Sequence, residues 1–193
     1  MLATGLGVAA IAATGLVAAA FGRGDPRIIV GTLVYAAALL AMLGCSLLYR
    51  SAIDPERRRQ FRHLDHAAIF AMIAGSATPF ALAQPGAHGL AVAAVLWAAA
   101  AGGIAFKLRY PIQSLRRSAL SYVLLGWAAL AAVGPAISFN AALLIALGGV
   151  FYSAGVPVLL WRRRPYRLAI WHCFVLAGAA CHYIAILARI APG

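Results

Sequence analysis

An all-α, polytopic membrane protein with a bundle of seven transmembrane helices is the fold class this sequence predicts. Two observations carry that reading. Seven long apolar runs fill the chain, at about 2–21, 28–49, 66–84, 86–106, 118–136, 139–161 and 168–190. Each is close to the ~20 residues a helix needs to cross a ~30 Å hydrocarbon core. The charges between the runs also alternate by side. Open sheet or irregular backbone would leave polar groups unsatisfied in lipid, so helices are the consistent form. No run has the short alternating pattern of an outer-membrane strand.

The composition agrees. Hydrophobic residues make up 64% of the 193, and mean hydropathy is +0.91. A soluble domain of this size has too little interior to hide that much apolar surface. The loops are too short for a further domain, so residues 1–193 read as a single membrane domain. Net charge is +12 although only 10% of residues are charged. In a soluble protein that balance would suggest nucleic acid. Here the basic residues sit at helix ends, where they meet lipid phosphates and set orientation, so no nucleic-acid partner is expected.

The first run, 2–21, is rich in Gly and Ala and has no Lys or Arg before it. A cleaved secretory signal needs a basic start, so the run reads as a retained helix packed closely on its neighbours. The second, 28–49, ends at Ser46 and Arg50. The third, 66–84, is opened by Asp65 and contains Pro79. The fourth, 86–106, follows a loop without basic residues and ends at Lys107 and Arg109. The fifth, 118–136, ends at Pro135. The sixth, 139–161, carries Gly148, Gly149, Gly155 and Pro157. The prolines predict kinks or helix ends, and the glycines predict close helix packing. The seventh, 168–190, carries His172 and His182. Cys45, Cys173 and Cys181 lie inside apolar runs without a C-x-x-C pair. They read as small buried hydrophobes, not as a redox or metal set.

Lys and Arg divide unequally between the sides. Arg50, Arg57, Arg58, Arg59 and Arg62 follow the second helix. Lys107, Arg109, Arg116 and Arg117 follow the fourth, and Arg162, Arg163, Arg164 and Arg167 follow the sixth. These are thirteen of the sixteen basic residues; Arg23, Arg27 and Arg189 lie on the other side. The positive-inside rule then predicts a cytoplasmic N-terminus and an outer C-terminus. That orientation is opposite to that of G-protein-coupled receptors, which argues against that class. In a bacterium the location is the inner (cytoplasmic) membrane.

Polar residues within a span are expensive and are functional candidates. Four fall at one depth. Ser46 and Arg50 are four apart and share a helix face. Asp65 opens the third helix, where its carboxylate would cap the first N–H groups. His172 lies about one turn into the seventh helix. The second, third and seventh helices are thus expected to bring Ser46, Arg50, Asp65 and His172 together near the cytoplasmic boundary. His182 lies about 15 Å deeper by helix rise and reads as a hydrogen-bonder between helices. His63, His66 and His88 read as loop or off-face residues.

From Gly24 onward the chain resembles the haemolysin III family, bacterial relatives of the progestin and adipoQ receptors. The segments that carry the likeness are GDPRIIVGTLVYAAALLAMLGCSLLYRSA (24–52), HLDHAAIFAMIAGSATPFAL (63–82), YVLLGWAAL (122–130), GGVFYSAGV (148–156) and AIWHCFVLAGAACHYIAI (169–186). The resemblance implies seven helices, an inner N-terminus and a zinc site near the cytoplasmic face. Its pattern is Ser-x-x-x-His on helix two, an Asp opening helix three and His-x-x-x-His entering helix seven. Three imidazoles and a water form a catalytic zinc arrangement. The bound water becomes hydroxide near neutral pH and can attack an amide or ester.

This sequence departs from the pattern at two ligands. Ser46 is followed by Arg50, and His172 is preceded by Leu168. Ser46, Asp65 and His172 match. A guanidinium only donates and stays charged, so Arg50 repels a cation. It is expected instead to fill the metal position and pair with Asp65. The family's acidic, Asn and His residues near the N-terminus are absent as well. The expected function is therefore a non-catalytic lipid-binding or membrane-homeostasis protein without a cofactor, with membrane lipid as its partner and a lipid ligand in its helical cavity. One alternative is a zinc-dependent intramembrane hydrolase of a lipid amide or ester. It would retain Ser46 and Asp65 in catalysis and His172 on the metal. Another is a pore-forming cytolysin, for which no row of intramembrane charges marks an ion path.

Overall fold

A computed structural model describes residues 2–110, 115–161, 163 and 165–190. Its elements are α1 (Leu2–Arg23), α2 (Pro26–Ser51), α3 (Pro55–Ala81), α4 (Gly86–Arg109), α5 (Leu115–Val133), a 3₁₀ turn (Gly134–Ala136), α6 (Phe139–Leu160) and α7 (Arg167–Ile190). Six of these helices are long and apolar enough to cross a membrane. The exception is α3, whose first turns are charged. Large apolar side chains line the outside: Ile11, Leu90, Val95, Leu124, Phe139 and Leu176 are each 63–79% exposed. Water would not tolerate such an exterior, and lipid does. The chain is an all-helical integral membrane protein. Arg162 and Arg164 of the basic loop after α6 lie outside the described residues.

Residues 1–112 form one compact unit and 113–193 a second. In the first, α1 packs on α2, α2 on α3 and α3 on α4. The starts of α2 and α3 use the same local device. Asp25 precedes Pro26, and its carboxylate accepts from the Arg27 N–H at 2.8 Å. Asp54 precedes Pro55 and accepts from the Arg57 N–H at 2.9 Å. Proline at the first helical position sacrifices only an N–H that has no partner in the helix, while the aspartate satisfies another. Helix α3 therefore begins at Pro55, well before the apolar run at 66. This corrects the expectation that Asp65 opens the helix and caps it. Asp54 caps it, and Asp65 lies well inside.

The α2–α3 pair is antiparallel and close. A Cβ at Gly31 would lie 2.8 Å from Pro79 Cα, and one at Gly75 would lie 2.5 Å from Ala38 Cβ. Small residues let the backbones approach, as helix pairs in lipid require. Tyr35 and Phe80 are almost completely buried here. Helix α4 joins α3 through Trp97, whose Nε1 donates to Thr78 Oγ1 at 3.0 Å. That hydroxyl in turn donates to the Ala74 carbonyl at 2.7 Å. Pro79 lies inside α3 and Pro157 inside α6, and Pro135 sits in the 3₁₀ turn.

In the second unit, α5 packs on α6 and α6 on α7. Trp127 repeats the device of Trp97. Its Nε1 donates to Ser153 Oγ at 3.2 Å, and Ser153 donates to the Gly149 carbonyl at 2.7 Å. Each hydroxyl is satisfied twice, once within its helix and once across helices. Along α6 and α7, glycines face rings. A Cβ at Gly148 would meet His182, one at Gly155 Trp171 and Phe174, and one at Gly178 Tyr152, each within 3 Å. The small-residue packing expected of Gly148 and Gly155 is present; Gly149 makes ordinary contact with Trp127 instead.

Candidate functional site

The four acidic residues of the chain sort by position. Asp25 and Asp54 cap helices. Glu56 pairs with Arg59 at 3.0 Å. Asp65 alone lies in a helix interior, partly buried. A carboxylate there has no capping role, so its interactions serve some other purpose than starting a helix.

Helix α2 supplies Ser46, partly buried, and Arg50 in its last turn. Because α3 runs antiparallel to α2, Asp65 returns to the level of the α2 end. Its charge acts on Cys45, the residue next to Ser46. The first unit thus brings Asp65 to the Cys45–Ser46 level. Arg50 and Asp65 each take part in a hydrogen bond, ion pair or electrostatic contact. His172 belongs to the second unit, in the second turn of α7, with its Nδ1 against the Leu168 carbonyl. Leu168, at the position of the missing imidazole, is 45% exposed.

Lys107 is a residue that sequence reasoning passed over. It is the chain's only lysine. At the end of an apolar run, beside Arg109, it reads as one more interfacial cation. In the structure it is buried, 4% exposed. Helix α4 carries it to α3, within electrostatic reach of Arg62, His63 and His66. Burial, followed by the charges of Arg62, Arg59 and Lys107, holds His63 below its ordinary pKa. A signal existed: lysine where arginine fills every other basic position. His182, expected from its depth to hydrogen-bond between helices, meets Tyr152 of α6 edge-on, with ring centroids 5.7 Å apart, and its buried Nε2 has no hydrogen-bond partner among the described residues.

The family model described as Haemolysin-III related matches residues 1–183. The chain belongs to the haemolysin III family. It is 33% identical over 174 residues to a protein of Bacillus cereus named Hemolysin-3, covering 88% of this chain and 80% of the relative. It is 32% identical over 163 residues to the Hemolysin-3 homolog of Bacillus subtilis (strain 168), covering 82% and 76%. No solved structure matches the chain.

The donor set of this haemolysin III chain does not fit the zinc ion that the resemblance implies. Of the three imidazole positions, one holds a histidine, one a guanidinium and one an aliphatic side chain. Zinc sites use neutral nitrogen, thiolate or carboxylate ligands, and a fixed positive charge among them opposes the metal. No group of three His, Cys, Asp or Glu side chains among the described residues stands ready to take the ion in their place.

Proposed function

We propose that this chain is a non-catalytic, metal-free haemolysin III protein that binds membrane lipid and serves membrane homeostasis. It crosses the bacterial cytoplasmic membrane seven times, with its N-terminus inside and its C-terminus outside. One observation carries the functional reading: Arg50 stands on the Ser46 face of α2, one turn on, where the family pattern has an imidazole. A guanidinium at that point replaces the metal's positive charge but not its Lewis acidity. It supports a pairing with Asp65, the acidic residue not used at a helix start. Such a pair gives the partly buried Asp65 a counter-charge; with Arg50 exposed at the end of α2, it is worth on the order of 1 kcal/mol or less.

Zinc content tests this reading. The full chain, purified in mild detergent without a His-tag or chelator, is compared with the Arg50→His/Leu168→His variant by elemental mass spectrometry. The wild type should hold close to no zinc, and the variant about one equivalent, as three imidazoles predict. One equivalent in the wild type, lost in His172→Ala, would overturn the proposal. The hydrolase of a lipid amide or ester would then take its place. Conductance of reconstituted liposomes above that of protein-free ones would favour a pore instead.

A further inference from the structure

A pocket of about 300 Å³ opens where α2 ends and α3 begins. It is lined by Tyr49 of α2 and by Pro55, Arg58, Arg59 and Arg62 of α3. Arg58 and Arg62 are one turn apart on the same face, and the Arg58 guanidinium lies over the Tyr49 ring, 5.7 Å from its centroid. Glu56 occupies Arg59, and the Asp54 carboxylate is held by the Arg57 N–H. Among the described residues, neither Arg58 nor Arg62 pairs with a carboxylate. Two guanidinium groups thus line an open cleft whose nearby acids are already engaged.

We propose that this pocket binds a phosphate group, carried by an anionic phospholipid or free as inorganic phosphate. Arginine forks match phosphate oxygens in bidentate geometry. The tyrosine ring keeps Arg58 in place and offers a hydroxyl as a further donor. Helix length gives the depth. With 27 residues, α3 is about 40 Å long at 1.5 Å per residue, against ~30 Å of hydrocarbon. Its apolar part begins after Asp65, so with α3 crossing the membrane, as proposed above, Arg58 and Arg62 fall in the headgroup layer. Leu48 and Ile53, close in sequence to Tyr49 and Pro55 of the pocket, are 48% and 96% exposed and provide apolar surface for acyl chains. The pocket is independent of the metal question, because none of its residues belongs to the Ser46, Arg50, Asp65 and His172 set.

Native mass spectrometry on the delipidated full chain in detergent tests the proposal. Phosphatidylglycerol and phosphatidylcholine with the same acyl chains are titrated in parallel, with and without millimolar inorganic phosphate. Phosphatidylglycerol should bind about tenfold more tightly than phosphatidylcholine. Arg58→Gln/Arg62→Gln should remove the difference, while the charge-matched control Arg116→Gln/Arg117→Gln keeps it. Tyr49→Ala leaves every charge in place and should weaken binding roughly threefold. Circular dichroism and size exclusion confirm that each variant is folded. If inorganic phosphate binds and displaces the lipid in an Arg58- and Arg62-dependent way, the free ion is the ligand; if it does not, the lipid is. Equal loss in the control pair, or unchanged binding in both the arginine-pair and Tyr49 variants, overturns the proposal.

Discussion

Asp65 sits where a carboxylate needs a reason to be. The other three acidic residues stabilise helix starts, and their roles are complete within a turn or two. If Arg50 is the partner of Asp65, the two act as a unit. Arg50→Ala should then lower thermal stability in detergent, and Asp65→Ala should do the same. The double variant should lose less than the sum by roughly 0.5 kcal/mol or more. Additive losses would dissociate the two residues. A simpler measurement checks the cap: Asp54→Ala should cost about 1 kcal/mol, since the Arg57 N–H loses its acceptor. Asp65 is visible in the sequence because a charge next to a long apolar run stands out. Its place in the helix is not visible. Hydropathy marks where the bilayer begins, and α3 starts earlier, in a charged segment that water or headgroups can solvate. The burial of Lys107 is hidden for a related reason. A basic residue at the end of a span looks the same in sequence whether it snorkels outward or folds back against a neighbouring helix.

At the level of the element, close packing depends on which glycines have neighbours. Gly31 faces the backbone of Pro79, and a Cβ there would come within 2.8 Å of Pro79 Cα. A proline ring within a helix cannot swing away as a flexible side chain can. Gly31→Ala should therefore destabilise the α2–α3 pair by about 1–3 kcal/mol, the usual range for overpacking. Gly102 is the contrast, for a Cβ there would have nothing within 4 Å. Gly102→Ala should leave stability unchanged or raise it by up to about 1 kcal/mol, because alanine favours the helix. Denaturation followed by tryptophan fluorescence measures both. Equal effects from the two substitutions would mean that helix propensity, not the approach of α2 to α3, governs the response. In sequence these two glycines look alike, each within a long apolar helix. Gly148 and Gly155 are easier to read because His182 and Trp171 supply large ring partners on the next helix.

For the whole molecule, the number of crossings turns on α3. Six helices are apolar enough to span by composition alone, and α3 is the remaining one. Composition treats each helix by itself, whereas packing ties them together. Helix α3 meets α2 at Gly31–Pro79 near one end, at Ala38–Gly75 in the middle and at Tyr49–Arg58 near the other. These pairs keep one antiparallel register over almost the full length of α2. Pairing along its length with a helix apolar enough to span supports the proposed crossing of α3, and its buried Ser76 and Thr78 donate to carbonyls of their own helix. The crossing number has a consequence of parity: six spans leave both termini on one side, and seven put them on opposite sides. The asymmetry of the basic residues decides which is which: under the positive-inside rule, the proposed arrangement keeps the arginine-rich loops after α2, α4 and α6 in the cytoplasm. A C-terminal alkaline phosphatase fusion should therefore be active and a C-terminal green fluorescent protein fusion dark, while an N-terminal fluorescent fusion is bright. Bright fluorescence at both ends would take α3 out of the membrane, and with it the headgroup depth assigned to Arg58 and Arg62.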